Sequence, residues 1–270
     1  MKKTIGSLLA LSATSLFAYT DADLDGVEDK YDKCPNTQFY ELVDLKGCSI
    51  QTLSAQHHFD IIMGAHYSEA DYDALEKTDT YSGSVQVDYY YKNFAIQAST
   101  SYYSANSNTY NDNGLDNSYL GASYTFALQE NLSMSIGAGL IIPTYDSSLK
   151  NNNTDFTGTL NFSYMLDTIN LFGGYGYTLI NDDDIPNTVM YQNSSSYSFG
   201  VGVYATEKLY LSGAYNSSQS IYAGVKSIDT ANLYGYYSLN ENWFTTLGYA
   251  YGLSQSASDN ALSLKVGYYF

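Results

Sequence analysis

The residues most able to do chemistry lie near the start of the chain, where carboxylates recur two residues apart. In DADLDGVEDKYD, Asp21, Asp23 and Asp25 take the first, third and fifth places, Gly26 the sixth, Val27 the seventh, and Asp29 and Asp32 the ninth and twelfth. Side-chain oxygens at those places, a ligating carbonyl at the seventh and a glycine for the sharp turn are what a twelve-residue calcium loop needs. So many carboxylates on one short loop repel one another unless a hard cation holds them, so calcium is the cofactor expected here. The closing residue is Asp32 where a helix-loop-helix site has Glu, and no amphipathic helix flanks the loop.

Cys34 and Cys48 follow close behind. Beyond a secretory leader, two such cysteines read as a disulfide formed in an oxidising compartment. Closing a loop of about fifteen residues is worth roughly 3 kcal/mol in the chain-entropy account. Taken together, DADLDGVEDKYDKCPNT and VDLKGC resemble the thrombospondin type 3 repeat of bacterial OmpA-family proteins. In that family such repeats bind calcium and join a barrel to a peptidoglycan-binding domain. The resemblance implies Asp21, Asp23, Asp25, Asp29 and Asp32 as calcium ligands and Cys34 and Cys48 as the bridging pair. Tyr40 stands where a glycine is usual between the cysteines, and the repeat precedes the barrel with no peptidoglycan-binding domain in the chain. The anchoring role is therefore not carried over.

What positions this module follows from the flanking sequence. Residues 1–18 read as a signal peptide, with Lys2 and Lys3 ahead of a short apolar stretch from Ile5 to Leu11 and cleavage after Ala18. That stretch is far shorter than the ~20 residues a spanning helix needs. Residues 19–50 form the acidic module, and 51–270 a barrel. The net charge of -17 and the absence of arginine exclude a basic face for nucleic acid. They also exclude the arginine-lined constriction that many anion-preferring pores use.

From His57 onward apolar and polar residues alternate with period two, in runs of about ten residues separated by turn residues, as a transmembrane antiparallel β-barrel requires. In the last run Leu262, Leu264, Val266, Tyr268 and Phe270 would face lipid, and Ser263, Lys265, Gly267 and Tyr269 the lumen. The same phase recurs from Leu132 to Leu140 and from Tyr197 to Tyr204. The pattern predicts an all-β fold of about twelve strands, at 57–68, 81–92, 94–104, 117–128, 132–143, 154–166, 169–180, 194–205, 208–216, 229–239, 242–253 and 260–270. Short turns at 92–93, 129–131, 167–168, 206–207 and 240–241 alternate with longer polar loops. Short turns belong on the periplasmic side, and an even strand number then puts both termini there, with the acidic module in the periplasm or tucked into the barrel mouth. Tyr91, Phe94, Phe126 and Trp243 would form the inner aromatic girdle. A terminal Phe270 resembles the signal that outer-membrane proteins present to their barrel-insertion machinery.

Inside, few charges are expected. Asp60, Asp88 and Lys265 fall at similar depth, which predicts a lumenal polar cluster. Tyr90, Gln97, Asn161, Asn170, Tyr204, Tyr210 and Tyr236 also point inward and narrow any passage. The loop acids Glu69, Asp71, Asp73, Glu76, Asp79 and Asp182 to Asp184 read as solvated tips, with a cation-bridged contact to lipopolysaccharide as the sharper reading. Of the histidines His57, His58 and His66, only His66 has a serine two residues on, Ser68, and it would point inward and not onto the outer wall, so catalysis is not expected. The expected function is passage of small hydrophilic solutes through an outer-membrane barrel; the alternative is a closed barrel acting as a scaffold or adhesin.

Overall fold

The computed structural model describes residues 27, 29–34, 45–46, 48, 57–71, 77–108, 111–144, 152–186 and 188–270. The chain divides into two units, Met1–Gln56 and His57–Phe270, a boundary six residues beyond the one expected at 50/51. Of the six expected calcium positions, Asp21, Asp23 and Asp25 lie outside the described residues. In the first unit Cys34 and Cys48 are bonded, with their Cα atoms 5.0 Å apart. Around this bond Lys33 N donates to Lys46 O over 2.8 Å. Asp32 Oδ1 accepts from Cys34 N over 2.8 Å, so one oxygen of the twelfth-place carboxylate is committed to the backbone.

The second unit is made of β1 (His57–Ala70), β2 (Thr78–Tyr91), β3 (Phe94–Asn106), β4 (Asn111–Leu115), β5 (Ser118–Gln129), β6 (Leu132–Ile142) and β7 (Asp155–Leu166). It continues with β8 (Ile169–Leu179), β9 (Ser194–Thr206), β10 (Leu209–Ser218), β11 (Ile228–Ser238), β12 (Trp243–Gly252) and β13 (Asn260–Tyr269). Every pairing is antiparallel, and β1 pairs with both β2 and β13, which closes the sheet. The circuit has twelve staves, because β4 and β5 share one. Leu115 opposes Tyr102 and Tyr119 opposes Ser99, a register that slips by one residue across Asp116 and Asn117. Asp116 N still donates to Ser101 O over 2.8 Å, so the ladder carries across the slip.

Residues 111–115, NDNGL, are polar on both faces and carry no period-two signal, so the alternation predicts a loop there. The segment is a strand because β3 outruns β5 and its free edge must be paired. Tyr102 Oη donates to Asn113 Oδ1 over 2.8 Å and Tyr103 Oη to Asp112 Oδ2 over 2.9 Å, which ties β4 down from both faces. The other strands match the expected ones to within a few residues.

Tight connections lie at one end. Lys92 and Asp167 turn with φ of 53° and 56°, the left-handed conformation a two-residue hairpin demands. Asn240 Oδ1 accepts from the backbone of Asn242 and Trp243, and Thr206 Oγ1 from that of Lys208 and Leu209, which fixes two more turns.

Partners followed once around from His57, through Tyr91, Phe94, Tyr124, Ile136, Leu160, Tyr175, Tyr197 and Ser217, reach Asp229. With the last registers extended, the path returns to the first stave near Asp71, about fourteen residues on. With ~4.8 Å between strands and ~3.3 Å per residue, that stagger tilts the strands by roughly 40° and sets a backbone radius of ~12 Å.

Packing is inside out relative to a water-soluble protein. Among the described residues only Ala70, Phe244 and Ala257 are buried hydrophobics, whereas every strand exposes at least one large apolar side chain, such as Met63, Phe199, Leu233, Leu247 and Leu264. A closed sheet satisfies its own backbone, so this belt needs hydrocarbon as its solvent. At the short-turn end the belt finishes in paired rings: Phe59 with Tyr89, Tyr124 with Phe126, and Trp243 with Tyr268.

Candidate functional site

Period two decides which side chains line the inside. With Asp60 inward, the registers place Asp88, Gln97, Tyr119, Ser135, Asn161, Asn170, Ser198, Tyr210, Asn232, Phe244 and Lys265 inward as well. The lining is mostly serine, threonine, asparagine and glycine, with aromatic rings concentrated on the β8 to β13 wall. All seven expected inward residues, Tyr90, Gln97, Asn161, Asn170, Tyr204, Tyr210 and Tyr236, have this phase.

Inward glycines make room for inward rings. A Cβ at Gly202 would fall on the Tyr210 ring, one at Gly267 on Phe244, and one at Gly121 or Gly139 on Tyr119. Each ring therefore lies against the backbone of a neighbouring strand instead of projecting across the lumen. The rings also support one another: Tyr204 sits 4.8 Å from Tyr210, and Phe244 4.7 Å from Tyr269. Tyr236 and Tyr269 join their hydroxyls over 2.9 Å, and Asn170 Nδ2 donates to Tyr210 Oη over 3.3 Å. Inward rings are expected to narrow the passage, and the glycine slots instead fold Tyr119, Tyr210 and Phe244 against the wall. The signal is present as glycines at 139, 200 and 202, but the ring filling each slot, Tyr119, Phe172 and Tyr210, comes from a neighbouring strand.

The expected cluster of Asp60, Asp88 and Lys265 is brought together only in part. Asp60 and Asp88 are register partners, each about 95% buried, and the Oδ1 of each is buried with no hydrogen-bond partner among the described residues. Asp88 Oδ2 accepts from Gln86 Nε2 over 2.8 Å, and His58 Nε2 stands 3.9 Å from Asp60 Oδ1 while its ring stacks on Tyr90. Lys265 opposes Gly64, four residues further along β1, and no ion pair within 4.0 Å joins it to either carboxylate. Across the direct β1–β13 pairing Asp60 faces Tyr269, which leaves Lys265 four residues nearer the long-loop end. His66 is inward as expected, with Nε2 3.0 Å from Ser84 Oγ.

At the long-loop end the acids do more than solvate loop tips. Asp155 Oδ1 accepts from Asn181 N over 2.8 Å, and Asp182 Oδ1 accepts from Asn153 N over 3.0 Å, a reciprocal tie between two loops. Asp155 and Asp182 are both buried, and Asp184 Oδ1 accepts from Tyr191 N over 2.7 Å. Asp79 accepts from Tyr67 Oη over 2.8 Å. Glu69 holds Lys77 at 2.6 Å, a hydrogen bond that lifts the lysine pKa above its ordinary value. Asp73 and Glu76 lie outside the described residues. Among the described residues no group of three histidine, cysteine or carboxylate side chains is placed to hold a metal.

No family model matches the chain, and no curated protein matches it. Solved structures do. An outer membrane channel from Pseudomonas putida F1 is similar with a TM-score of 0.67 and 11% identity, over 79% of this chain and 95% of that one. The NanC porin is similar with a TM-score of 0.54 and 15% identity, over 78% and 98%. The KdgM porin follows with 0.51 and 11%, over 77% and 98%. At these identities the likeness is one of fold. The chain is a closed, twelve-stave antiparallel barrel of the architecture that outer-membrane channels and porins use.

Proposed function

We propose that this protein sits in a bacterial outer membrane and passes small hydrophilic solutes through the barrel. The observation that carries this reading is the lining: hydroxyl, amide and glycine positions face inward on every stave, and the rings of Tyr119, Phe172, Tyr210 and Phe244 are folded against the wall in glycine slots. A barrel built only to anchor loops has no need to hold its inner rings flat. A backbone radius of ~12 Å leaves a lumen of small-solute dimensions once side chains line it. Recesses of about 630, 400 and 330 Å³ open on the inner wall.

The charge on the lining favours cations and neutral solutes over anions, since Asp60 and Asp88 outnumber Lys265 and no arginine exists. The KdgM porin has been solved in complex with disordered oligogalacturonate. An acid of that kind suits this lining poorly. Single-channel recording in planar bilayers tests the reading: stepwise, cation-preferring current supports it, and a folded but silent barrel overturns it in favour of a closed scaffold or adhesin.

The N-terminal unit, in the same reading, is a periplasmic calcium-binding module of the thrombospondin type 3 kind, with Asp21, Asp23, Asp25, Val27, Asp29 and Asp32 as ligands. Its support is the carboxylate spacing together with the Cys34–Cys48 bond that closes the following loop. Phe270, exposed on the lipid face, is the residue the insertion machinery would read.

A further inference from the structure

The 630 Å³ recess combines an uncharged lining, which the 330 Å³ recess shares, with inward aromatic rings, which that recess lacks. Its lining contains no aspartate, glutamate, lysine or arginine. Asp88 lies in the 400 Å³ recess beside Gln86 and Gln97, while His66, with Nε2 3.0 Å from Ser84 Oγ, brings an imidazole to the lining of the 630 Å³ recess and Lys265 stands beside it opposite Gly64. Three rings reach this larger recess from three staves: Phe172 on β8, Tyr210 on β10 and Tyr234 on β11. Tyr210 and Tyr234 stand 6.5 Å apart at 63°, so their faces meet at a corner instead of stacking on each other. Amides and hydroxyls flank the rings, among them Asn216, Asn232 and Ser263. Asn232 directs its Nδ2 to Thr230 Oγ1 over 2.9 Å, which fixes its amide and leaves its carbonyl oxygen as an acceptor.

We infer that this recess is a binding site for a neutral polyhydroxylated solute, a short uncharged oligosaccharide. The inference rests on the pore reading above and narrows it to a solute class. Ring faces are electron-rich and apolar, and they attract the C–H-bearing face of a pyranose. Amide and hydroxyl groups at the rim meet the sugar hydroxyls that the stacking leaves at the edge. A recess without fixed charge offers an ion nothing to offset its lost hydration. The volume falls in the range of small-ligand sites. Because the rings belong to the wall, a solute resting on them also obstructs the passage.

The test is ion current through the folded full-length barrel in potassium chloride, with maltotriose, sodium gluconate or uridine added to one side. Maltotriose is expected to interrupt the current in a dose-dependent way, while gluconate and uridine leave it unaltered. Tyr234→Leu, which keeps bulk but removes the ring, and Phe172→Ala are each expected to raise the half-blocking concentration about three- to tenfold. Val85→Ala, on the lipid face, leaves it unchanged. A conducting barrel that maltotriose does not affect, or that gluconate or uridine blocks equally, overturns the inference and spares the pore. Should no current flow, the pore reading fails, and calorimetric titration of the detergent-folded barrel with maltotriose decides the site alone. Heat that Tyr234→Leu removes supports it, and no heat overturns it.

Discussion

Adding one methyl group to the inner wall tests the glycine slots directly. Gly202 on β9 opposes Asn170 on one side and Ser212 on the other, so its backbone is held in two ladders and has little freedom to retreat. In Gly202→Ala the new Cβ occupies the place of the Tyr210 ring. The ring must swing into the lumen, abandoning its 4.8 Å contact with Tyr204 and the 3.3 Å hydrogen bond from Asn170. Overpacking, the lost ring pair and the lost hydrogen bond together predict a destabilisation of about 2–4 kcal/mol. Conductance falls at the same time, because a displaced ring narrows the passage. Urea unfolding in lipid vesicles reads the first effect and single-channel recording the second. The double variant Gly202→Ala, Tyr210→Ser is expected to recover most of the conductance, and the cycle isolates the coupling between the two positions. If Gly202→Ala leaves stability and current at wild-type values, the rings are not held by glycine slots and the reasoning fails.

Replacing Asp60 by Asn removes one of two like charges set directly opposite each other, so unfolding free energy should rise by about 0.5–1 kcal/mol in urea titrations. The combined Asp60→Asn, Asp88→Asn barrel should lose cation preference, read as a reversal potential moving toward zero in a salt gradient. Glu69→Gln removes the bond that raises the Lys77 pKa. A raised lysine pKa contributes stability below the unfolded value of about 10.4 and loses it as pH climbs through the folded value. The melting difference between Glu69→Gln and wild type should therefore be present at neutral pH and vanish in strong alkali. Calcium titration of the mature protein should show uptake that Asp21→Asn with Asp25→Asn abolishes. Cys34→Ser with Cys48→Ser should weaken that uptake, since the bond that closes the adjoining loop is worth roughly 3 kcal/mol.

The features legible in the sequence are those in which one strand carries its own signal. The alternation of Leu262, Leu264 and Val266 with Ser263, Lys265 and Gly267 is local, and it fixed the phase of β13 and the inward aspect of Lys265. The short turns at Lys92 and Asp167 were legible for the same reason. What depends on neighbours was not. The level of Lys265 relative to Asp60 is set by the register in which β13 pairs with β1, which neither strand encodes alone. The burial of Asp155 and Asp182 depends on two loops exchanging backbone hydrogen bonds, and polar loop residues look alike whether they solvate or tie. The strand β4 had no alternation to read. The match of Tyr210 to Gly202 crosses from β10 to β9, so either residue alone reads as ordinary.

The most direct check on the sheet curling shut, apolar outside and wet within, is a cysteine scan along β13 from 261 to 268, one position at a time, in protein reconstituted into lipid with the Cys34–Cys48 bond intact. Positions 261, 263 and 265 should react with a water-soluble, membrane-impermeant thiol reagent, positions 262, 264, 266 and 268 should be shielded from it, and Gly267, where a side chain would meet the Phe244 ring, is left out. Equal labelling of both sets, or a reactive phase on the leucine positions, would contradict the account.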